Sequence, residues 1–83
     1  MQSVIVEIYV PAISSSFDFR LPSTGRVGDI INEVVLMLES TQQNLLFDRE
    51  QPILCDRERE VVLRRQDTVA EAGIQDGTQL ILV

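Results

Sequence analysis

Few side chains in this 83-residue sequence are of the types that perform chemistry at neutral pH. The chain contains no histidine, so the commonest proton acceptor of active sites is absent. The single cysteine, Cys55, ends the short apolar run Ile53 to Cys55. There it is read as a small buried hydrophobic residue, or alternatively as a thiol made reactive by Arg57. These residue types favour a protein that is not an enzyme.

The charged residues are distributed as expected for a solvated surface. Thirteen acidic and seven basic residues give a net charge of −6, which repels nucleic-acid phosphates and anionic lipid headgroups. The sequence has neither a glycine-rich phosphate loop nor a cluster of metal ligands, so we expect no cofactor and no metal. The alternating charges Asp56 to Glu60 predict a solvated turn, or alternatively an edge that docks a partner, and Arg64 and Arg65 balance nearby acids.

The chain has the composition of one small folded domain spanning residues 1–83, because 45% of it is hydrophobic. Cys55 has no disulfide partner within the chain, which fits a reducing compartment. The first apolar run follows no basic segment and is stopped by Pro11, so it does not read as a signal peptide. No segment approaches the roughly 20 apolar residues of a membrane span. We therefore expect a cytoplasmic protein without direct membrane insertion.

One helix is predicted from Val27 to Leu38, since its apolar residues recur every three or four positions and form a single stripe. That stripe needs an apolar partner surface, and most of the flanking sequence reads as strand. Strict alternation predicts a strand from Val4 to Val10 and another from Phe17 to Leu21, joined as an antiparallel hairpin.

The second half of the chain predicts shorter elements. Leu45 to Phe47 favours a strand, with a helical turn as the alternative, and Asp67 or Thr68 is expected to cap a helical turn that stops at Gly73. The remaining expected elements are strands at Ile53 to Cys55, Val61 to Leu63 and Thr78 to Val83, the helical turn Val69 to Ala72, and a tight turn at Asp76-Gly77.

This order of elements resembles the ubiquitin-like β-grasp, and Thr68 to Val83 (TVAEAGIQDGTQLILV) resembles the segment that ends such domains, with Ile74 entering the core. The runs EVVL at Glu60 to Leu63 and AEAGIQDG at Ala70 to Gly77 are similar to those of the small YukD/EsaB proteins. Those proteins are ubiquitin-like components of type VII (WXG-substrate) secretion systems in Gram-positive bacteria. The segment Ser40 to Asp56 departs from the family in length and composition.

The resemblance implies an α+β fold in which a mixed sheet of four to five strands packs on one main helix. It also implies that the first and last strands pair in parallel. On the sheet face away from the helix, this pairing brings together the apolar residues Ile5, Tyr9, Ile81 and Val83, a candidate protein-binding surface. Leu36 lies opposite the helix stripe and either covers a loop or extends a contact surface.

These observations favour a non-catalytic ubiquitin-like interaction module, acting as an accessory or regulatory component of a type VII secretion system. One alternative is a structural module that associates with itself through the Ile5, Tyr9, Ile81 and Val83 face. The other is a sulfur carrier or conjugated modifier. Such proteins act through a C-terminal Gly-Gly tail, whereas this sequence ends in Leu80 to Val83 and contains no lysine to accept an isopeptide bond. We therefore expect neither reaction, unless the native chain extends further.

Overall fold

The computed structural model describes residues 2–41 and 51–83. Five strands and one long helix form the framework, and a single turn of 3-10 helix at Pro11–Ile13 joins the first two strands. The framework elements are β1 (Ser3–Val10), β2 (Ser15–Pro22), α1 (Val27–Thr41), β3 (Leu54–Asp56), β4 (Val61–Val62) and β5 (Gln79–Leu82). The strand expected at Leu45 to Phe47 lies outside the described residues.

The strands form one mixed sheet in the order β2-β1-β5-β3-β4. β1 and β2 pair antiparallel, as their short connection predicts, with Val4 opposite Leu21 and Ile8 opposite Phe17. β5 lies parallel to β1, with Ile8 beside Leu80. The parallel pairing of the terminal strands and the α+β arrangement are thus confirmed.

The core lies between α1 and one face of this sheet. Val27, Ile30, Ile31, Val34 and Leu38 of the predicted helix stripe are buried. They meet the buried alternate residues of the strands and the residues around the Thr68–Gly73 turn, namely Val6, Ile8, Val10, Leu21, Leu54, Leu80, Leu82, Leu63, Val69, Ala72 and Ile74. Ile74 thus enters the core as the resemblance implied.

The start of α1 is fixed by a distant part of the chain. Its sequence offers no capping box, and its first backbone N–H groups are free to bond elsewhere. Val27 N donates to the carbonyl of Asp67 at 2.9 Å, and Gly28 N donates to that of Arg65 at 2.9 Å. A Cβ on Gly28 would lie 3.2 Å from the same Arg65 oxygen, so this close backbone approach explains glycine inside the helix.

The Thr68–Gly73 turn has the capping box that α1 lacks. Glu71 N donates to Thr68 Oγ1 at 3.1 Å, and Thr68 N donates to Glu71 Oε1 at 2.9 Å. These bonds, together with the charges of Arg26 and Arg64, hold the pKa of Glu71 below its usual value, although slight desolvation opposes them. Thr68 is therefore the cap, and Gly73 ends the turn in the left-handed region with φ of 76°.

Candidate protein-binding surface

The sheet face away from α1, called here the outer face, carries a row of apolar residues across four strands. Tyr9 of β1 pairs with Ile81 of β5, Ile81 pairs with Cys55 of β3, and Cys55 pairs with Val62 of β4. Directly paired residues project from the same face of a sheet. With strands about 4.8 Å apart, the row Tyr9-Ile81-Cys55-Val62 spans about 14 Å.

A second pair of apolar residues extends this row towards the end of the sheet. Ile53 and Val83 exchange backbone hydrogen bonds of 2.7 and 3.0 Å and so lie directly opposite each other. Side chains alternate along a strand, so Ile53 shares the outer face with Cys55, and Val83 shares it with Ile81. Of the predicted surface residues, Tyr9, Ile81 and Val83 are therefore brought together.

Ile5 does not join them directly. Glu7 lies between Ile5 and Tyr9 on the same face of β1, and Glu7 pairs with Gln79 of β5, so a polar row separates the two apolar residues. The backbone of Ile5 is instead held by the turn before β5: its N–H donates to Asp76 Oδ1 at 2.8 Å, and its carbonyl accepts from Gly77 N at 2.8 Å.

Leu36 lies in the other layer of the fold. It is on the solvent side of α1, where its side chain is 66% exposed. A single flat partner surface cannot contact Leu36 and Ile81 together, because α1 and the sheet's apolar core lie between them.

Sequence reasoning missed half of the row. Cys55 was expected to be buried; it is instead half-buried on the outer face, because its neighbours Leu54 and Asp56 point inward. Val62 is 58% exposed, although the run Val61 to Leu63 is uniformly apolar. The sequence carries no signal that separates these three residues: only Leu63 is buried, Val61 is 44% exposed, and the difference comes from packing against the rest of the fold.

An open depression of about 390 Å³ adjoins the β4 end of the row. Its floor is apolar and its rim carries charges of both signs. The lining residues are Cys55, Asp56, Arg57, Glu60, Val61, Val62 and Ile81. A depression of this kind suits an apolar side chain of a protein partner, whose own polar groups can reach the rim.

The rim is held in place by Asp56, which is 4% exposed. The expectation of a solvated turn is therefore wrong for Asp56 and correct for the exposed residues 57–60 that follow. One carboxylate oxygen accepts from Glu58 N at 3.0 Å and from Arg59 N at 3.1 Å, and the other accepts from Arg59 Nε at 2.9 Å. Burial raises the pKa of Asp56, but the hydrogen bonds and charge of Arg59 and the Glu58 N–H outweigh it and hold the pKa below its usual value.

Within residues 2–41 and 51–83, no group of three or more His, Cys, Asp or Glu side chains is placed to hold a metal ion. In the same part of the chain, no helix combines the length and apolar character needed to cross a membrane.

The fold is shared with ubiquitin-like domains. The ubiquitin-like domain of EccD5 from Mycobacterium xenopi superposes with a TM-score of 0.76 at 21% identity, covering 100% of this chain and 94% of that one. That of the Mycobacterium tuberculosis type VII secretion protein EccD1 gives 0.75 at 21% identity, covering 100% and 99%. Caldiarchaeum subterraneum ubiquitin gives 0.75 at 16% identity, covering 98% and 91%. These likenesses establish a ubiquitin-like β-grasp.

A comparison of the sequence with curated proteins gives no match. The family model described as "WXG100 protein secretion system (Wss), protein YukD" matches residues 4–82. This range includes all of α1 and all five strands, except for Ser3 at the start of β1. The match includes the outer-face row and the Asp56 turn. On this evidence the chain belongs to the YukD family of the WXG100 protein secretion system.

Proposed function

We propose that this chain is a non-catalytic adaptor of a type VII secretion system, formed by a single ubiquitin-like domain that binds another protein component of the system through its outer face. The family is that of a secretion-system protein, and the fold is ubiquitin-like. The observation that carries the proposal is the row Tyr9-Ile81-Cys55-Val62, which places apolar side chains side by side on a solvent-facing sheet surface.

The row has the anatomy of a small protein interface. Apolar side chains form its centre, and a polar border runs along one side of it, formed by Glu7, Gln79, Arg57 and Glu60 at the neighbouring positions of the four strands. Ile5 is proposed as a peripheral contact, separated from the row by Glu7 and Gln79, whereas Leu36 lies on α1 and outside this surface.

The absence of histidine from the sequence supports a role without catalysis, and the backbone-bonded Asp56 carboxylate is already engaged in holding a turn. The proposed place of action is the cytoplasmic side of the secretion machinery. A structure of the MycP5-free ESX-5 inner membrane complex contains a chain that matches this fold with a TM-score of 0.79 at 18% identity, and this chain covers 21% of that chain.

The test is affinity purification of the tagged protein from its native organism, comparing wild type with Val62→Asp and Leu36→Asp. Both substitutions place a carboxylate at an exposed apolar position, on the sheet and on the helix respectively. We expect wild type and Leu36→Asp to recover the secretion ATPase or another component of the secretion system, and Val62→Asp to lose it.

The outcomes separate the surface from the function. Loss of the component with Leu36→Asp alone overturns the outer face as the binding surface and assigns binding to α1. Failure of wild type to recover any secretion component overturns the adaptor function itself.

A further inference from the structure

β2 is the longer of the two edge strands of the sheet, the other being β4. β2 has eight residues, Ser15–Pro22, and among the described elements only β1 pairs with it. Apart from Pro22, which has no N–H, the residues on the other side of β2 therefore have backbone N–H and C=O groups available to another strand, and such an edge is a template for pairing.

The charges on this strand are poorly matched within the chain. Asp18 lies directly opposite Glu7 of β1, and like charges at opposed positions destabilise an antiparallel pair. Arg20 follows two residues later on the same face, opposite the apolar Ile5. Within residues 2–41 and 51–83 the only ion pair is Arg59 with Asp56, so Asp18 has no cation to offset Glu7.

We propose that β2 pairs antiparallel with β2 of a second copy of this chain, about a two-fold axis that passes beside Phe19. In this register Asp18 of each copy lies opposite Arg20 of the other, and Phe19 lies opposite its own counterpart. Two equivalent opposite-charge pairs then form on the outer face. Each gives Asp18 a cationic partner that the described residues of its own chain do not supply.

The helix side of β2 also offers surface to a second copy. Phe19 is half-buried there, and it lines a groove of about 170 Å³ between β2 and α1. Met37 of α1 lines the same groove and is 40% exposed. Pairing at β2 brings apolar surface of the second copy over Phe19 and towards Met37, removing part of both from water.

Charged residues on an edge strand can instead serve to prevent pairing. Residues that prevent pairing by repulsion carry charges of the same sign, because then every two-fold register opposes like charges. Asp18 and Arg20 have opposite signs at alternate positions, which makes the strand self-complementary in the register centred on Phe19.

The test measures the dimer dissociation constant of the full chain by sedimentation equilibrium. Asp18→Arg places an arginine opposite Arg20 of the other copy in both of the proposed pairs. We expect this repulsion to weaken the dimer by roughly tenfold or more. Because each chain carries a net charge of −6, this substitution reduces the magnitude of that charge, and general repulsion between the chains would then predict stronger association instead. Glu58→Arg, at an exposed position of the β3–β4 turn, makes the same change of net charge and is expected to leave the dimer intact.

Mixing two single variants tests the register. Arg20→Asp alone opposes two carboxylates and is also expected to weaken the dimer. When Asp18→Arg and Arg20→Asp chains are mixed in equal amounts, every opposed pair combines one arginine with one aspartate, so the heterodimer is expected to regain wild-type affinity. Hydrogen exchange of the β2 amides is expected to slow as the concentration of wild-type chain rises.

A monomeric wild type at high concentration overturns the proposal, as does a mixture that associates no better than either variant alone. A dimer weakened by Val62→Asp but not by Asp18→Arg also overturns it, and assigns self-association to the outer-face row. β2 and β4 are the two opposite edges of the sheet. The test of dimerisation at β2 is therefore independent of the test of partner binding at Val62.

Discussion

Arg59 Nε lies 2.9 Å from Asp56 Oδ2, and the guanidinium of Arg59 also donates to the carbonyl of Ala72. One side chain thereby connects the turn after β3 to the turn that precedes β5. The carboxylate is buried while the arginine is half exposed, so Asp56 depends on this contact more than Arg59 does.

Replacing Asp56 with Ala is expected to lower the free energy of unfolding by about 2 to 3 kcal/mol, because two backbone N–H groups and Arg59 lose their acceptor. Urea denaturation followed by circular dichroism measures the change. Glu58→Ala, at an exposed position of the same turn, serves as the control and is expected to have little effect.

Stability is expected to fall as the pH is lowered through the acid range, in part because of Asp56. Its pKa in the folded protein is lowered from the ordinary value of 3.8, so the unfolded chain takes up a proton first as the pH falls. The contribution of Asp56 is therefore fully present above about pH 4 and is lost as the pH drops through the folded pKa. Unfolding midpoints measured across this range should show a shallower fall for Asp56→Asn than for wild type; equal slopes would contradict the assignment.

Gly73 and Gly77 provide a matched pair for the packing of Arg59. Both have positive φ, 76° and 85°, so Ala at either position is strained by roughly 1 kcal/mol. A Cβ on Gly73 would also lie 2.9 Å from the Arg59 guanidinium, whereas one on Gly77 meets nothing within 4 Å. We expect Gly73→Ala to destabilise more than Gly77→Ala, and the difference to shrink in an Arg59→Ala background; a difference that persists there would locate the strain elsewhere.

Thr68→Ala is expected to cost about 1 kcal/mol of stability, since the capping hydroxyl of the Thr68–Gly73 turn is lost. The reciprocal bond from Thr68 N needs only an acceptor at position 71, so Glu71→Gln should preserve more stability than Glu71→Ala. Thermal unfolding ranks the three variants. If Gln and Ala at position 71 prove equivalent, the side-chain hydrogen bond makes no contribution.

Ile8 and Leu80 lie side by side where the two terminal strands meet, and both are almost fully buried. Truncating either to Ala should cost about 2 to 5 kcal/mol, through lost burial and the cavity left behind. Ile5→Ala, three residues earlier in the same strand but 47% exposed, is the comparison and should cost far less. Chemical denaturation of the three variants checks this ranking.

Local pattern alone determined the elements that are long and strongly periodic. The helix stripe beginning at Val27 and the alternation in β1 and β2 each identify an element from residues a few positions apart, because side-chain direction follows directly from helical or extended backbone geometry. The Thr68-to-Gly73 turn was predicted for the same reason, since its cap and its left-handed stop are local features. The parallel pairing of β1 and β5 was implied by the family resemblance.

Only the tertiary structure decided which residues share the outer face and what holds its rim. Val62 and Cys55 join Ile81 through registers between β3, β4 and β5, and register between distant strands is not encoded in the spacing of any one of them. Asp56 reads as one more surface charge until its strand places it inward and Arg59 reaches it. Short strands carry too few residues for their own alternation to show which face is buried, so packing against the rest of the fold determines it.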